Sequence, residues 1–380
     1  MVFTGVVGAP PSHCSDTKPG PFTTVDKTPT VAEKPYVTID GAGKFSLQVP
    51  APKTDSAGAD FAESSKARAV PFESIYVTKV TDGATEINAQ LAAGLSVIIS
   101  PAIYKLDAPL NITTSGTVVL GLGFATLIPS AGTAVISVAD GVDDVRIAGL
   151  LLQAGPVAGG FTTPALLAWG TAAGYAGRAS APGVISDVFG RVGGPDGDTD
   201  SPVAATAIFD IRSGNVIGDN MWLWRADHAA GEVTYDSNRN DHGMLVSGDD
   251  VTMYGLAVEH AEKDLTIWTG ERGRTYFYQS ELPYIVTQAE FGDPGYAGYR
   301  VGDGVKAHNA WGVGVYVDAC SPVFEYPPPP PRPPRLPPRG LPCTGPLPRF
   351  VSAPLGAKVH CARPRPSVTP SAALHVCRPN

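Results

Sequence analysis

Between Asn215 and Tyr284 the chain gathers side chains that could do chemistry together: Trp222, Trp224, Asp227, His228, Asp241, His242, Asp249, Asp250, Glu259, His260, Trp268, Gln279, Glu281 and Tyr284. Flat rings stack on the C–H faces of sugars, and carboxylates bond their hydroxyls, so the set suits a carbohydrate ligand. Glu259 and Glu281 stand 22 residues apart. If the chain winds in coils of that length, the two lie on neighbouring rungs, with backbones about 5 Å apart. Two carboxylates so close cannot both ionise cheaply, so one pKa rises. A raised pKa is what a general acid needs at neutral pH. The same stacking would also suit two surface glutamates held by Arg272 or Arg274.

Placing those residues requires short strands at a regular period. Thr117–Gly123, Asp144–Leu150, Gly183–Phe189, Asn215–Met221, Asp250–Leu256 and Arg274–Tyr278 are apolar-alternating runs, most led by Gly, Asp or Asn. Val251 to Thr275 spans 24 residues and Val118 to Val145 spans 27. Such periods indicate stacked coils, none of which can bury its apolar face alone. Gly, Asn and Asp at the corners supply left-handed backbone. A two-sheet sandwich is the competing architecture, but its strands recur every 8–12 residues or so through hairpins, and few hairpin signals occur here. Trp222 and Trp224 are expected to divide between interior and surface, at least one being core.

The expected fold is therefore all-β, a single-stranded right-handed parallel β-helix over residues 71–325. An amphipathic helix at Ala84–Ala93, with Ile87 and Leu91 on one face, precedes a strand, a Pro turn and a second strand at Ser96–Tyr104. That order resembles the entry to pectate-lyase-like β-helices. Residues 1–70 read as a strand and loop segment, with strands at Val2–Val7 and Phe45–Val49 and a linker or long loop at Lys53–Ala69. Residues 326–380 read as a disordered Pro/Arg-rich tail. Its Pro327–Pro331 run cannot donate to a ladder and reads as polyproline II, a linker or an SH3-type ligand.

Composition excludes some functions. Eight Lys and Arg and no acidic residue follow Glu325, so the rest of the chain is more acidic than the overall charge of −8. An acidic body repels phosphate backbones, which argues against a nucleic-acid partner. No apolar run approaches the 18 or so residues of a membrane span. Met1–Pro10 shows no charged n-region and no long h-region, so no secretory leader is visible. The five cysteines match no zinc spacing, and neither a metal nor an organic cofactor is implied. Asp249-Asp250 and Asp241-His242-Gly243 are similar to polygalacturonase motifs, but in reversed order. No paired metal-binding Asp in a nucleotide-binding context supports an adenylyl cyclase.

Three phrases carry a closer resemblance: Asn220-Met-Trp-Leu-Trp-Arg-Ala-Asp-His228, Ala257-Val-Glu-His260 and Gln279-Ser-Glu-Leu-Pro-Tyr284. In order and spacing they resemble the core of glycoside hydrolase family 55, whose members are inverting exo-β-1,3-glucanases. Tyr299–Tyr316, with His308-Asn-Ala-Trp311, resembles the family's next coil. The resemblance implies that Glu281 is the general acid and Glu259 the neighbour that raises its pKa and orders water. Tyr284, Gln279 and His260, with Trp268 or Trp224, are expected to border the sugar; Asp227 and His228 fit the family phrase and suit equally a role in corner hydrogen bonds. The ligand would be β-glucan or a related polysaccharide, and the location extracellular or cell-surface. Family members have two β-helices side by side; this chain supplies one, so a second half from another chain is a candidate partner. A non-catalytic glycan-binding or surface-structural module remains the alternative.

Overall fold

The computed structural model describes residues 1–13, 22–59, 67–156, 163–194, 203–227, 237–284 and 286–317. The Pro/Arg-rich tail and His228 lie outside the described residues.

Alternating apolar residues build seven long strands: β1 (Val118–Pro129), β2 (Arg146–Gln153), β3 (Gly183–Val192), β4 (Val216–Arg225), β5 (Thr252–Glu259), β6 (Gly273–Glu281) and β7 (His308–Tyr316). They pair in parallel and in sequence order, with Ile75–Val77, Ser96–Ile99 and Ile103–Leu106 completing the sheet at the β1 end. Consecutive long strands are joined through a second parallel sheet of seven strands, running from Leu110–Ile112 to Arg300–Val301. Every coil thus returns to the strand beside the one it left, which makes a right-handed parallel β-helix.

Each long strand bends once, at positive φ: at Gly123 and Phe124 in β1, then at Gly149, Asp187, Asn220, Gly255, Phe277 and Gly312. The bend splits the sheet into two sides, so the coil is a three-sided prism. A second column, Asp144, Asn215, Asp250 and Arg272, turns the chain into the long strands. Two of those turns are stapled, Arg272 holding Asp249 and Asp250. That removes Arg272 as a partner for the glutamate pair and gives the paired aspartates a corner role. Asp241 pairs with Lys263, and His242 Nδ1 meets the Asp264 carbonyl at 2.6 Å, so the polygalacturonase-like motif is also structural.

Inside the prism, Val119, Ile147, Ile185, Leu223, Leu256 and Val258 belong to one continuous apolar core. The helix Ala84–Ala92 caps its first coil, burying Ile87 and Leu91 as its spacing predicts. Lys53–Ala69 is not all linker, however. Lys53–Ser56 pairs antiparallel with Thr28–Val31, and Arg68–Pro71 pairs antiparallel with Phe45–Val49. These strands lie over the outer face of the first side. Leu47, Val49 and Val70 pack on Ile98, Val118, Leu120 and Ala148, while Ala32 packs on Val184 and Ile217. The polar linker pattern misled because these strands are supported by the coil stack and not by a core of their own.

Candidate active site

The outer face of the second side carries the carboxylates. Along this side Arg191 pairs with Trp224, Trp224 with Glu259, Glu259 with Glu281 and Glu281 with Tyr316, one residue per rung. Glu259 and Glu281 are therefore immediate neighbours across the ladder, as the coil-length argument requires. One oxygen of each, together with a ring nitrogen of His260, lies within 4.8 Å of the others.

Around Glu281 the donors are local. Gln279, two residues earlier on the same face, donates to Oε1 at 3.1 Å. The Tyr284 hydroxyl donates to Oε2. Tyr284 reaches back because β6 ends at Glu281 and the chain turns there through Pro283. Its ring meets His260 edge-on, with centroids 4.5 Å apart.

His260 sits behind the pair. It adopts φ +64°, its backbone N–H donates to the Glu281 carbonyl at 2.8 Å, and it is 2 % exposed. Nε2 lies 3.6 Å from Glu281 Oε2 and 3.7 Å from Asp227 Oδ2. Burial lowers its pKa, against the opposing pull of Asp227 and Glu281, so it favours the neutral ring. This corrects the expectation that His260 touches the sugar: it is enclosed behind the carboxylates and can only position them. Asp227 is tied in by the Trp224 indole, which donates to Oδ1 at 3.3 Å.

Within the pair, Glu259 has a raised pKa. Burial pushes Glu259 up to about 7; the Trp222 indole bonded to it works the other way, and the charge of Glu281 adds to the rise. Glu259 lies between Trp224 on one rung and Glu281 on the next, with Gln279 diagonal to it.

Trp268 is a second correction. It is fully buried within the core, packed against His308 and Tyr299. It belongs to the strand Thr266–Trp268 of the second sheet, on another side of the prism. Trp222 and Trp224 are a third. Residues two apart in a strand point the same way, so both face outward, with the buried Leu223 between them. Their rings stack at 5.6 Å, and Trp222 is 43 % exposed. Trp222 thus joins Trp224 at the site, where the alternation had been expected to send one of the two into the core.

A buried pair supports the site from beneath. Arg225 and Glu262, each 1 % exposed, lie 3.2 Å apart, and Arg239 reaches Glu262 at 2.8 Å. Arg225 also donates to the carbonyls of Ser237 and Asn238. The pair fixes the chain just after Trp224 and just after His260. No motif in the sequence announced it.

Glu259, His260 and Glu281 have the donor types for a divalent cation. Hydrogen bonds from Tyr284 and Gln279 already engage Glu281.

The family model for the LAM55 pectate lyase-like domain matches residues 75–281. An exo-beta-1,3-glucanase of Streptomyces sp. (strain SirexAA-E / ActE) is 39 % identical over 321 residues, which is 83 % of this chain and 51 % of the relative. The chain therefore spans about half the length of the curated relative it matches. Among solved structures, sacteLam55A from Streptomyces sp. SirexAA-E is 38 % identical, with a TM-score of 0.76 over 84 % of this chain and 56 % of that one. A variant of sacteLam55A in complex with glucose matches with the same TM-score and identity, over 83 % of this chain.

Proposed function

This chain belongs to the LAM55 pectate lyase-like domain family, and on that premise we propose that it hydrolyses β-1,3-glucan at the Glu259–Glu281 pair. The observation that carries this reading is the in-register pairing of two glutamates on adjacent rungs, bordered by Trp222, Trp224, Gln279 and Tyr284. Trp222 and Trp224 offer the stacking surface, and Gln279 and Tyr284 orient Glu281 toward it.

In the proposed step Glu281 gives its proton to the glycosidic oxygen while the bond from that oxygen to the anomeric carbon breaks. Water forms the new bond to that carbon from the opposite face and yields a proton to the water-activating group across the ring. Glu259, which holds a proton up to about pH 7, keeps the pair from carrying two negative charges and orders water beside it. His260 and Asp227 fix the Glu281 carboxyl from behind.

Inverting hydrolases hold acid and base about 6.5–9.5 Å apart. The closest oxygens here lie within 4.8 Å, so Glu259 is a neighbour on the same side and not a base across the ring. We infer that the water-activating group comes from a second β-helix carried on another chain or segment. The short separation also favours a second reading, a module that binds β-glucan without cutting it. Because a glucan polymer does not cross membranes, we place the action outside the cell or at its surface. Among the described residues no helix is long and apolar enough to cross a membrane.

The test is glucose release from laminarin-type oligosaccharides. Glu281→Gln should abolish release from natural substrate yet retain activity on an aryl glucoside, whose leaving group needs no acid. If Glu259→Gln shows that pattern instead, the two roles are exchanged. Binding without release in the wild type selects the second reading.

A further inference from the structure

Hydrogen bonds do not account for where the His260 ring sits. Its backbone is held, with the N–H on the Glu281 carbonyl. The residue is 2 % exposed, and Nδ1 is buried without a hydrogen-bond partner among the described residues. Nε2 points between two carboxylates, 3.6 Å from Glu281 Oε2 and 3.7 Å from Asp227 Oδ2. Both separations exceed a direct hydrogen bond, which reaches to about 3.2 Å. A buried polar ring left unpaired is costly, so a fold that keeps it there leaves something for it to bind.

The gap has the size of an ion. Four donors about 2.0–2.2 Å from a tetrahedral zinc-type cation stand about 3.3–3.6 Å from one another. The two separations from Nε2 lie close to that edge. Glu259 brings a further oxygen, since its carboxylate, a His260 ring nitrogen and the Glu281 carboxylate lie within 4.8 Å of one another. The donor types agree as well. Imidazole with carboxylates suits zinc-like ions, whereas calcium and magnesium take oxygen ligands.

The surrounding bonds are compatible with an ion. Asp227 takes the Trp224 indole on Oδ1, while Oδ2 faces the ring. Tyr284 and Gln279 donate to Glu281, but each oxygen of an ionised carboxylate accepts at more than one lone pair. Glu281 keeps 29 % of its side chain in water, which gives an ion a way in.

We propose that Glu259, His260 and Glu281, with Asp227 beside them, form an inhibitory site for a zinc-type divalent cation. An ion on Oε2 takes the place of the proton that Glu281 gives to the glycosidic oxygen, and hydrolysis stops. The ion is a regulator and supplies no step of the reaction. Its effect on turnover rests on the glucanase reading; its binding does not.

Calorimetry with Zn²⁺ on the metal-stripped whole chain tests the site, with Glu281→Gln and His260→Gln alongside. Cys361, Cys377, His360 and His375 could also take zinc, so the cysteines are alkylated first in all three proteins. The wild type should fill a site that each substitution weakens at least about 10-fold, the loss expected for even an outer-shell partner. Thermal melts check folding, and Glu281→Gln, at a part-exposed position, keeps the test open if His260→Gln does not fold. In the wild type Zn²⁺ should suppress glucose release and a chelator restore it. A wild type that takes no Zn²⁺, or takes it no more tightly than Glu281→Gln, overturns the site. Binding that depends on Glu281 but leaves glucose release untouched overturns the inhibition. The glucanase reading fails separately, if the metal-free wild type releases no glucose; zinc binding lost in Glu281→Gln would then still establish the ion site.

Discussion

The two sides of each long strand have the same alternation and the same inward core, yet opposite fates outside. On the first side the outward residues include Val118, Leu120, Val184 and Ile217, covered by residues of the N-terminal segment. Tyr254, Tyr276 and Trp311 stack there with centroids 5.0 and 4.6 Å apart, and the Tyr254 hydroxyl donates to the Thr30 carbonyl at 2.6 Å. On the second side the outward residues are Arg191, Trp224, Glu259 and Glu281, with Trp222 and Phe124 left in water. One face is insulation and the other is equipment. A β-helix rung offers both from one strand because the bend at positive φ turns the pleat without interrupting the ladder.

The sharpest break of that comparison is at Glu281. Glu281→Gln should lower turnover of natural glucan by about 10²–10⁴-fold with little change in melting temperature, measured by glucose release and thermal melt. On the covered face the effect should reverse. Leu47→Ala should cost about 2–4 kcal/mol in denaturant unfolding, and leave the activity of the folded fraction intact. A loss of activity matching Glu281→Gln would mean that the cover also shapes the site.

Glu259 tests the boundary between insulation and chemistry. Its carboxyl is raised from 4.5 to about 7, so the native state binds more protons than the unfolded one between those values, and stability falls as pH rises through that window. Glu259→Gln should remove this penalty. Unfolding above pH 7 should become about 1–2 kcal/mol more costly, the full shift being trimmed by solvent screening, with no gain below pH 4.5. The smallest effect is expected at Tyr254→Phe, which removes one bond from the cover. A loss of about 1 kcal/mol, with kcat unchanged, is the expected outcome.

Much of this was legible in the primary structure where the signal is local. The long strands show as apolar alternation led by corner residues, and the spacing of Glu259 and Glu281 matches one coil. The second sheet was harder to see: Thr163–Trp169 and Ala204–Ile211 are apolar runs without corner markers, and they join the stack only through their neighbours. Trp268 looked like a sugar platform because aromatic type is visible in a sequence and burial is not.

The sequence by itself determined that coils form, that two carboxylates fall one coil apart and which family the core phrases resemble. Periodicity and spacing are properties of a chain segment, so they need no partner to be read. Only the tertiary structure decided which face is covered, that both Trp222 and Trp224 point outward beside the pair, and that burial raises the Glu259 carboxyl. Those depend on dielectric surroundings and contacts supplied by other rungs and by the N-terminal segment. A charge buried by distant neighbours changes its pKa without any change in its own sequence context.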